Sequence, residues 1–430
     1  MDPTCNLELY LNGAWRGAAA VELNGDPAKG LDAHTVLAYT SAHAIDHLGG
    51  RDAAALSAAL PVSLMVESLP HWPAFLVDLL PQGYGRREVL KQLQRQEYAE
   101  READWALLLA GAGNPVGNLR VREAYEWALQ RTGATARGFT MDEVARRAGD
   151  FNEYLAQHGL FLAGSSGVQG EWPKILLTRA RDGLFYLDHT LPDHEADEHF
   201  IVKFGRGDDA RLADILRLEA PYMQLAAMLG LNVHKPLTLV DRALFIPRFD
   251  RAVVDGAVLR HGQESVAAFC GLTGFGVAPS HNEVCRRLGV WASDPVADVI
   301  EYVRRDIANI ALGNKDNHGR NTAIQRRQDG TVALAPLFDF AATWLHPDGI
   351  ARKMRWERDD DGAPQWASAI AQAAQAAGID ERRVVAGVRA MAEPLAQVYQ
   401  AALDLGIDER DFLKPIEKSL LNVRAQLEAL

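Results

Sequence analysis

The chain has 430 residues, 48% hydrophobic and 24% charged, the profile of a globular protein with room for two or three domains at about 150 residues each. Its net charge of −12 argues against the chain gripping nucleic acid unaided, because phosphate neutralisation needs a positive surface. The longest uncharged stretch, Ser265–Asn282, is too polar for a membrane span, the start lacks the basic and apolar regions of a signal peptide, and Cys5, Cys270 and Cys285 fit no zinc or redox spacing, so a reducing, cytoplasmic location without membrane contact is expected.

From the amino end, the alternation of Leu7–Leu11 beside Asn12-Gly13 predicts a hairpin. The Ala- and Leu-rich region that follows, to about Leu109, reads as helices, and residues 111–121 read as a loop and then a strand. The stretch Arg131–Gly138, rich in Gly, Thr and Ala, reads as a linker and closes a first domain, 1–135. Thr140-Met-Asp-Glu143 has the form of a capping box and predicts a helix to about His158, stopped by Gly159. Strands are expected at Lys174–Thr178, Leu184–Asp188 and Phe200–Phe204, the first two joined at Asp182-Gly183. A long helix follows over Ala210–Leu229, ending at Gly230, with Pro221 kinking it or starting a new segment. Leu237–Val240 and Ala243–Pro247 flank Asp241-Arg242 as two more strands and complete a second domain, 136–250. From Arg251 on, in a third domain, 251–430, helical periodicity dominates, apart from a hairpin of Thr322–Gln325 and Thr331–Ala335 turning at Asp329-Gly330. The fold class is α+β. A small β-rich unit with one long helix precedes a mostly helical unit with one hairpin, the order of a two-lobed protein kinase, here behind a small amino-terminal α+β subdomain. Two basic runs, Arg86, Arg87, Lys91 and Arg95, and Arg352, Lys353 and Arg355, read as solvated surface, with a binding patch as the alternative.

The densest polar constellation is Gly313-Asn-Lys-Asp316-Asn-His318-Gly-Arg-Asn321. Val299, Val303, Ile307, Ile310 and Ala311 recur at helical spacing before it, Gly313 ends that helix, and a strand begins at Thr322. An Asp followed five residues later by an Asn, on a loop entering a hairpin, is the arrangement of a kinase catalytic loop. The Asp accepts the proton of a substrate hydroxyl, and the Asn turns back to a magnesium ion on the nucleotide phosphates. The hairpin returns to Ala335-Pro-Leu-Phe-Asp339-Phe-Ala, where a carboxylate among apolar residues needs a partner. Magnesium is one such partner; a turn- or helix-capping Asp is the alternative. Glu219 falls within the apolar face marked by Leu212, Ile215, Leu216 and Met223 and therefore also needs a partner. Lys203, in the β-prone run Phe200–Phe204, is a candidate, as in the strand-Lys to helix-Glu pair that positions nucleotide phosphates; a surface or locally paired Glu is the other reading. Residues 163–174, with Gly164-Ser165-Ser166-Gly167-Val-Gln169, read either as a nest for phosphates or as a surface loop. Arg248-Phe249-Asp250-Arg251 follows a strand where a kinase hinge should be, with backbone groups able to read adenine. His318 has no second ligand at metal spacing on its loop and reads as a structural hydrogen-bonding residue. No G-x-S-x-G elbow and no H-E-x-x-H motif is present.

These blocks, with Leu-Phe-Ile-Pro-Arg-Phe-Asp250-Arg251, Phe-Ile-Val-Lys203-Phe and Phe75-Leu-Val-Asp78-Leu-Leu-Pro81-Gln-Gly83, resemble in order the HipA family, the serine/threonine kinases that act as toxins in bacterial toxin–antitoxin pairs. The resemblance implies that Asp316 is the catalytic Asp, that Asn321 and Asp339 are magnesium ligands, and that Lys203, with Glu219, serves ATP binding. It assigns Gly164, Gly167 and Gln169 to the ATP-phosphate loop, and Arg248 and Phe249 to the nucleotide hinge. It makes Ser165 and Ser166 candidates for an autophosphorylation that ejects the loop and inactivates the kinase. It further implies ATP and Mg2+ as cofactors, a small DNA-binding HipB-like antitoxin as partner, contact with nucleic acid only through that antitoxin, and an aminoacyl-tRNA synthetase as substrate. The loop departs from the family's compact Gly-x-Gln-x-Lys form, reading Gly167-Val-Gln169-Gly-Glu-Trp-Pro-Lys174, which is more similar to the YjjJ branch, although the amino-terminal helix-turn-helix of that branch is absent. Two readings stay open: an active kinase, and a non-catalytic nucleotide-binding scaffold or co-repressor of a DNA-binding antitoxin. The intact set Lys203, Asp316, Asn321 and Asp339 favours the first.

Overall fold

A computed structural model describes residues 2–93, 102–130, 135–158 and 172–430. The chain forms two compact units and crosses between them repeatedly. One holds Met1–Phe204, Val240–Val277 and Gln325–Val332; the other holds Gly205–Leu239, Ala278–Ile324 and Ala333–Leu430.

The first unit carries two five-stranded antiparallel sheets. One has the order β4-β3-β2-β1-β5, from β1 (Thr4–Leu11), β2 (Ala14–Leu23), β3 (Thr35–Tyr39), β4 (Val66–Leu69) and β5 (Leu119–Val121). Asn12 and Gly13 both take positive φ, 51° and 81°, so the turn twists with its strands. The period of two then buries Cys5, Leu7 and Leu9 on one face, in a core with Trp72 and Trp105, whose rings meet edge to face at 5.1 Å. Strands β3 and β4 lie where composition suggested helices: Thr35, Leu37 and Tyr39 alternate inward, and that short period was hidden in an Ala-rich background.

The second sheet has the order β7-β6-β8-β10-β9, from β6 (Lys174–Ala180), β7 (Phe185–Leu187), β8 (Ala196–Phe204), β9 (Thr238–Val240) and β10 (Ala243–Pro247). Phe200, Val202 and Phe204 pack with Phe185, Phe245, Phe151 and Tyr154. The helix expected from Thr140 to His158 is two helices, Met141–Ala145 and Gly149–Gln157, because Arg147 takes a left-handed φ of 51° between them. The capping box on Thr140 and Glu143 is present. A third departure is the hairpin of β11 (Arg251–Val254) and β12 (Ala257–Arg260), followed by β13 (Gly262–Ser265), in a region expected to be helical. Its turn is Asp255-Gly256, with φ of 51° and 79°, a hairpin signal in its own right.

The second unit is mostly helical. Helix Ala210–Met228 runs through Pro221 without interruption. Burial of Leu218, Tyr222, Met223 and Leu225 offsets the roughly 3 kcal/mol that an interior Pro costs. Helix Pro295–Leu312 has Asp294 as its N-cap and Pro295 in its first turn, and it ends at Gly313 with φ 72°. It packs against helices His281–Trp291, Trp366–Ala377, Glu381–Arg389 and Lys414–Glu428, burying Val299, Val303, Ile307 and Ala311. After it come β14 (Ala323–Arg326) and β15 (Val332–Leu334), with Gly330 at φ 90° in their turn, as the spacing predicted. Among the described residues no helix is long and apolar enough to cross a membrane.

Candidate active site

Within the second unit, Asp316, Asn321 and Asp339 line one cleft, together with Asn314, Asn317 and Met354. The central helix delivers the loop: a left-handed Gly313 lets the chain leave at once, and side-chain hydrogen bonds then fix its path. Thr343 Oγ1 accepts from the N–H groups of Lys315 at 2.7 Å and Asp316 at 3.2 Å, and it donates to Asn314 Oδ1 at 2.8 Å. Asn314 in turn donates to Asn309 on the helix at 2.9 Å. On the other side, Asn321 Nδ2 donates to the Asp316 carbonyl at 2.9 Å. The Asp316 backbone is thereby held from two directions while its side chain stays 32% exposed, within reach of a ligand.

Asn321 has committed its amide nitrogen to the loop, so Oδ1 is the atom it can offer a cation. Asp339 is half-buried between buried Leu337 and Phe340 and takes φ 54°. A left-handed conformation costs a non-Gly residue about 1–2 kcal/mol, and such strain concentrates at functional sites. An all-oxygen donor set of one carboxylate and one amide suits magnesium, which takes one or two protein carboxylates and completes its shell with substrate phosphates and water. Among the described residues no three His, Cys, Asp or Glu side chains gather as a self-sufficient metal group. His318 Nδ1 accepts from Arg320 N–H at 3.2 Å, and its Nε2 lies 3.6 Å from Asp316 Oδ1.

Glu219 is 1% exposed on helix Ala210–Met228 of the same unit, among the apolar residues the helical wheel assigned to it. Lys203 belongs to the other unit. It is 3% exposed on β8, between β6 and β10. The period of two turns it to the face opposite Phe200, Val202 and Phe204, where its Nζ lies 5.4 Å from the centre of the Trp172 ring. Gly164, Ser165, Ser166, Gly167 and Gln169 lie outside the described residues.

Arg248 has its side chain occupied elsewhere. It donates to both oxygens of Asp250 at 2.9 and 2.6 Å, and Asp250 also accepts from Gly117 N–H at 2.8 Å. Arg251 grips Asp188 with bonds of 3.0 and 2.9 Å, and Asp188 also takes Thr178 and His199. Burial alone would raise the carboxyl of Asp188, but Arg251 and Arg248 hold it well below the usual range. The guanidinium of Arg248 thus closes an interior joint of the first unit, and the Phe249 carbonyl accepts from Gln325 at 2.9 Å; any reading of a base at this hinge falls to other backbone groups. Sequence reasoning did not find the roles of Thr343, Asn314 and Asn317. The last two stood inside the motif, but Thr343 carried no signal at its distance along the chain.

A mixed fold with a kinase-like Asp, Asn and Asp on one cleft defines the class. The family described as the HipA-like C-terminal domain matches residues 166–399, and the chain belongs to that family. Two relatives from Sinorhizobium fredii are candidate kinases. Y4mE is 31% identical over 279 residues, 59% of this chain and 60% of its own length; Y4dM is 27% identical over 236 residues, 49% and 54%. The chain therefore spans between half and two thirds of the curated relatives it matches. Among solved structures, the Shewanella oneidensis MR-1 toxin–antitoxin complex of HipA, HipB and operator DNA contains a chain that superposes with a TM-score of 0.66. The match covers 99% of this chain and 97% of that one at 20% identity. The α+β architecture is that of HipA.

Proposed function

We propose that this protein is a Mg-ATP-dependent serine/threonine protein kinase that acts as the toxin of a HipBA-like pair. The observation that carries the reading is the convergence of Asp316, Asn321 and Asp339 on one cleft from a loop and from the strand end beyond the next hairpin. In this reading Asp316 orients the acceptor hydroxyl and takes its proton as the γ-phosphoryl group is attacked. Asn321 and Asp339 would hold magnesium, which neutralises charge on the nucleotide phosphates. Lys203, as the family resemblance implies, would serve the ATP phosphates. Membership of the HipA-like family and likeness to candidate kinases support the activity. The likeness to a HipA solved with HipB and DNA supports a HipB-like antitoxin as partner, and an acidic chain suits a partner that itself supplies the charge for DNA.

An aminoacyl-tRNA synthetase as substrate, and autophosphorylation at Ser165 or Ser166 as self-inhibition, belong to the same proposal. Incubating the purified chain with bacterial lysate and γ-labelled ATP, with magnesium or with a chelator, tests it. A discrete labelled protein that needs magnesium, and a phosphoserine or phosphothreonine in its tryptic map, are expected. Absence of label in both arms contradicts the kinase reading.

A further inference from the structure

The residue after Asp316 has a task that the kinase reading leaves unassigned. Asn317 is 8% exposed. Its Oδ1 accepts from the N–H groups of Lys353 at 2.9 Å and Met354 at 3.3 Å, and its Nδ2 donates to the Met354 carbonyl at 3.1 Å. One side-chain amide thus holds three backbone groups of this segment. Both ends of that segment are also held. The Arg355 carbonyl accepts from His281 N–H at 3.0 Å, Trp356 Nε1 donates to buried Asp306 at 2.9 Å, and Arg352 grips Asp360 with bonds of 2.8 and 3.2 Å.

Burial alternates along the strip. Met354 and Trp356 point inward, each 3% exposed. Lys353 lies outward, and the Arg355 side chain is 41% exposed. Lys315, on the other flank of Asp316, is exposed as well. Among the described residues Lys353 and Lys315 make no ion pair with an acid of this chain, and Arg355 has only a 3.4 Å contact to Asp360. Four acids follow the strip: Asp360 pairs with Arg352, Glu357 accepts from Ser280 and Asp359 from Ser368, and Asp361 is exposed. In a chain of net charge −12, a rigid cationic strip tied to the candidate catalytic loop stands apart.

We propose that residues 352–356 are the seat of the acceptor polypeptide, that Asn317 is the positioning residue setting its place relative to Asp316, and that Lys353 and Arg355 select an acidic acceptor segment. The inference rests on the kinase reading and deepens it. Complementary charge at such a rim sets partner choice, and an outward basic pair on a rigid backbone loses little entropy when it meets carboxylates.

The test uses two model acceptors, acidic dephosphorylated casein and basic core histones, with the full chain. Wild type is expected to prefer casein. Lys353→Glu/Arg355→Glu, two exposed changes that leave the core intact, should raise the KM for casein about tenfold and shift preference toward histones. The KM for ATP should move by less than about twofold, because Lys353 and Arg355, unlike Met354, do not line the cleft of Asp316, Asn321 and Asp339. Asn317→Ala should lower kcat on both acceptors with ATP affinity unchanged, a split that general unfolding does not produce. An active wild type whose casein KM ignores the charge reversal overturns the acceptor seat while leaving the kinase reading in place. A wild type that labels neither acceptor nor any lysate protein overturns the kinase reading, and this inference with it.

Discussion

Asp339 holds a left-handed φ of 54°, a conformation that Gly adopts without strain. Asp339→Gly suits that backbone and removes the carboxylate proposed as a cation ligand. Its nucleotide affinity, measured by calorimetry, should fall with magnesium present and stay near wild type without it; an equal fall in both conditions would make Asp339 a turn residue. Asp298 offers a contrast in the first turn of the central helix. One oxygen accepts from Leu334 N–H at 3.0 Å, and the other is buried with no hydrogen-bond partner. Burial raises its carboxyl to about 6. The folded state therefore holds a proton that the unfolded chain has already released near pH 4. Its contribution to stability is fully present below about pH 4 and is lost as pH rises through about 6. Asp298→Asn keeps the acceptor and removes the charge, so it should stabilise the fold at pH 7 by about 1–2 kcal/mol, with the advantage gone at pH 4, as read by urea unfolding at the two pH values.

The central helix, its glycine exit and the hung loop make one device. A Cβ at residue 313 would stand 2.7 Å from Trp344 Cδ1 and 3.2 Å from Ile416 Cγ2, at a φ of 72°. Gly313→Ala should cost about 1–3 kcal/mol and displace the Thr343 contacts, lowering both the thermal midpoint and phosphoryl transfer; a variant with unchanged midpoint and rate would show that the exit tolerates a side chain. This device was legible in the sequence because Gly313, the helical period before it and the polar run after it are all local signals. So were the turns at Asn12-Gly13, Asp182-Gly183 and Asp329-Gly330, each marked by a residue that favours positive φ. The same signal stands at Asp255-Gly256, inside a region whose periodicity otherwise reads as helical. The break at Arg147 and the unbroken passage through Pro221 were not legible: tertiary packing decides both, against local preference. Thr343 and the Asp188–Arg251 joint were invisible for a related reason, since their partners meet only in the folded chain.

At the scale of the molecule, the residues that the sequence nominated are divided between the units: Lys203 is in the sheet of one, and Glu219, Asp316, Asn321 and Asp339 are in the helical other. The cleft of Asp316, Asn321 and Asp339 lies within a single unit, and within it Asp316 alone is assigned to the acceptor rather than to the cation. Asp316→Ala removes the group assigned to the acceptor hydroxyl and leaves the two cation ligands in place. The decisive measurement pairs calorimetric Mg-ATP binding with the rate of γ-phosphoryl transfer to protein, for wild type and Asp316→Ala side by side. The expected result is binding within about threefold of wild type and a transfer rate lower by at least about a thousandfold. Transfer at the wild-type rate by the variant would contradict the assignment of this cleft as the catalytic centre of a kinase.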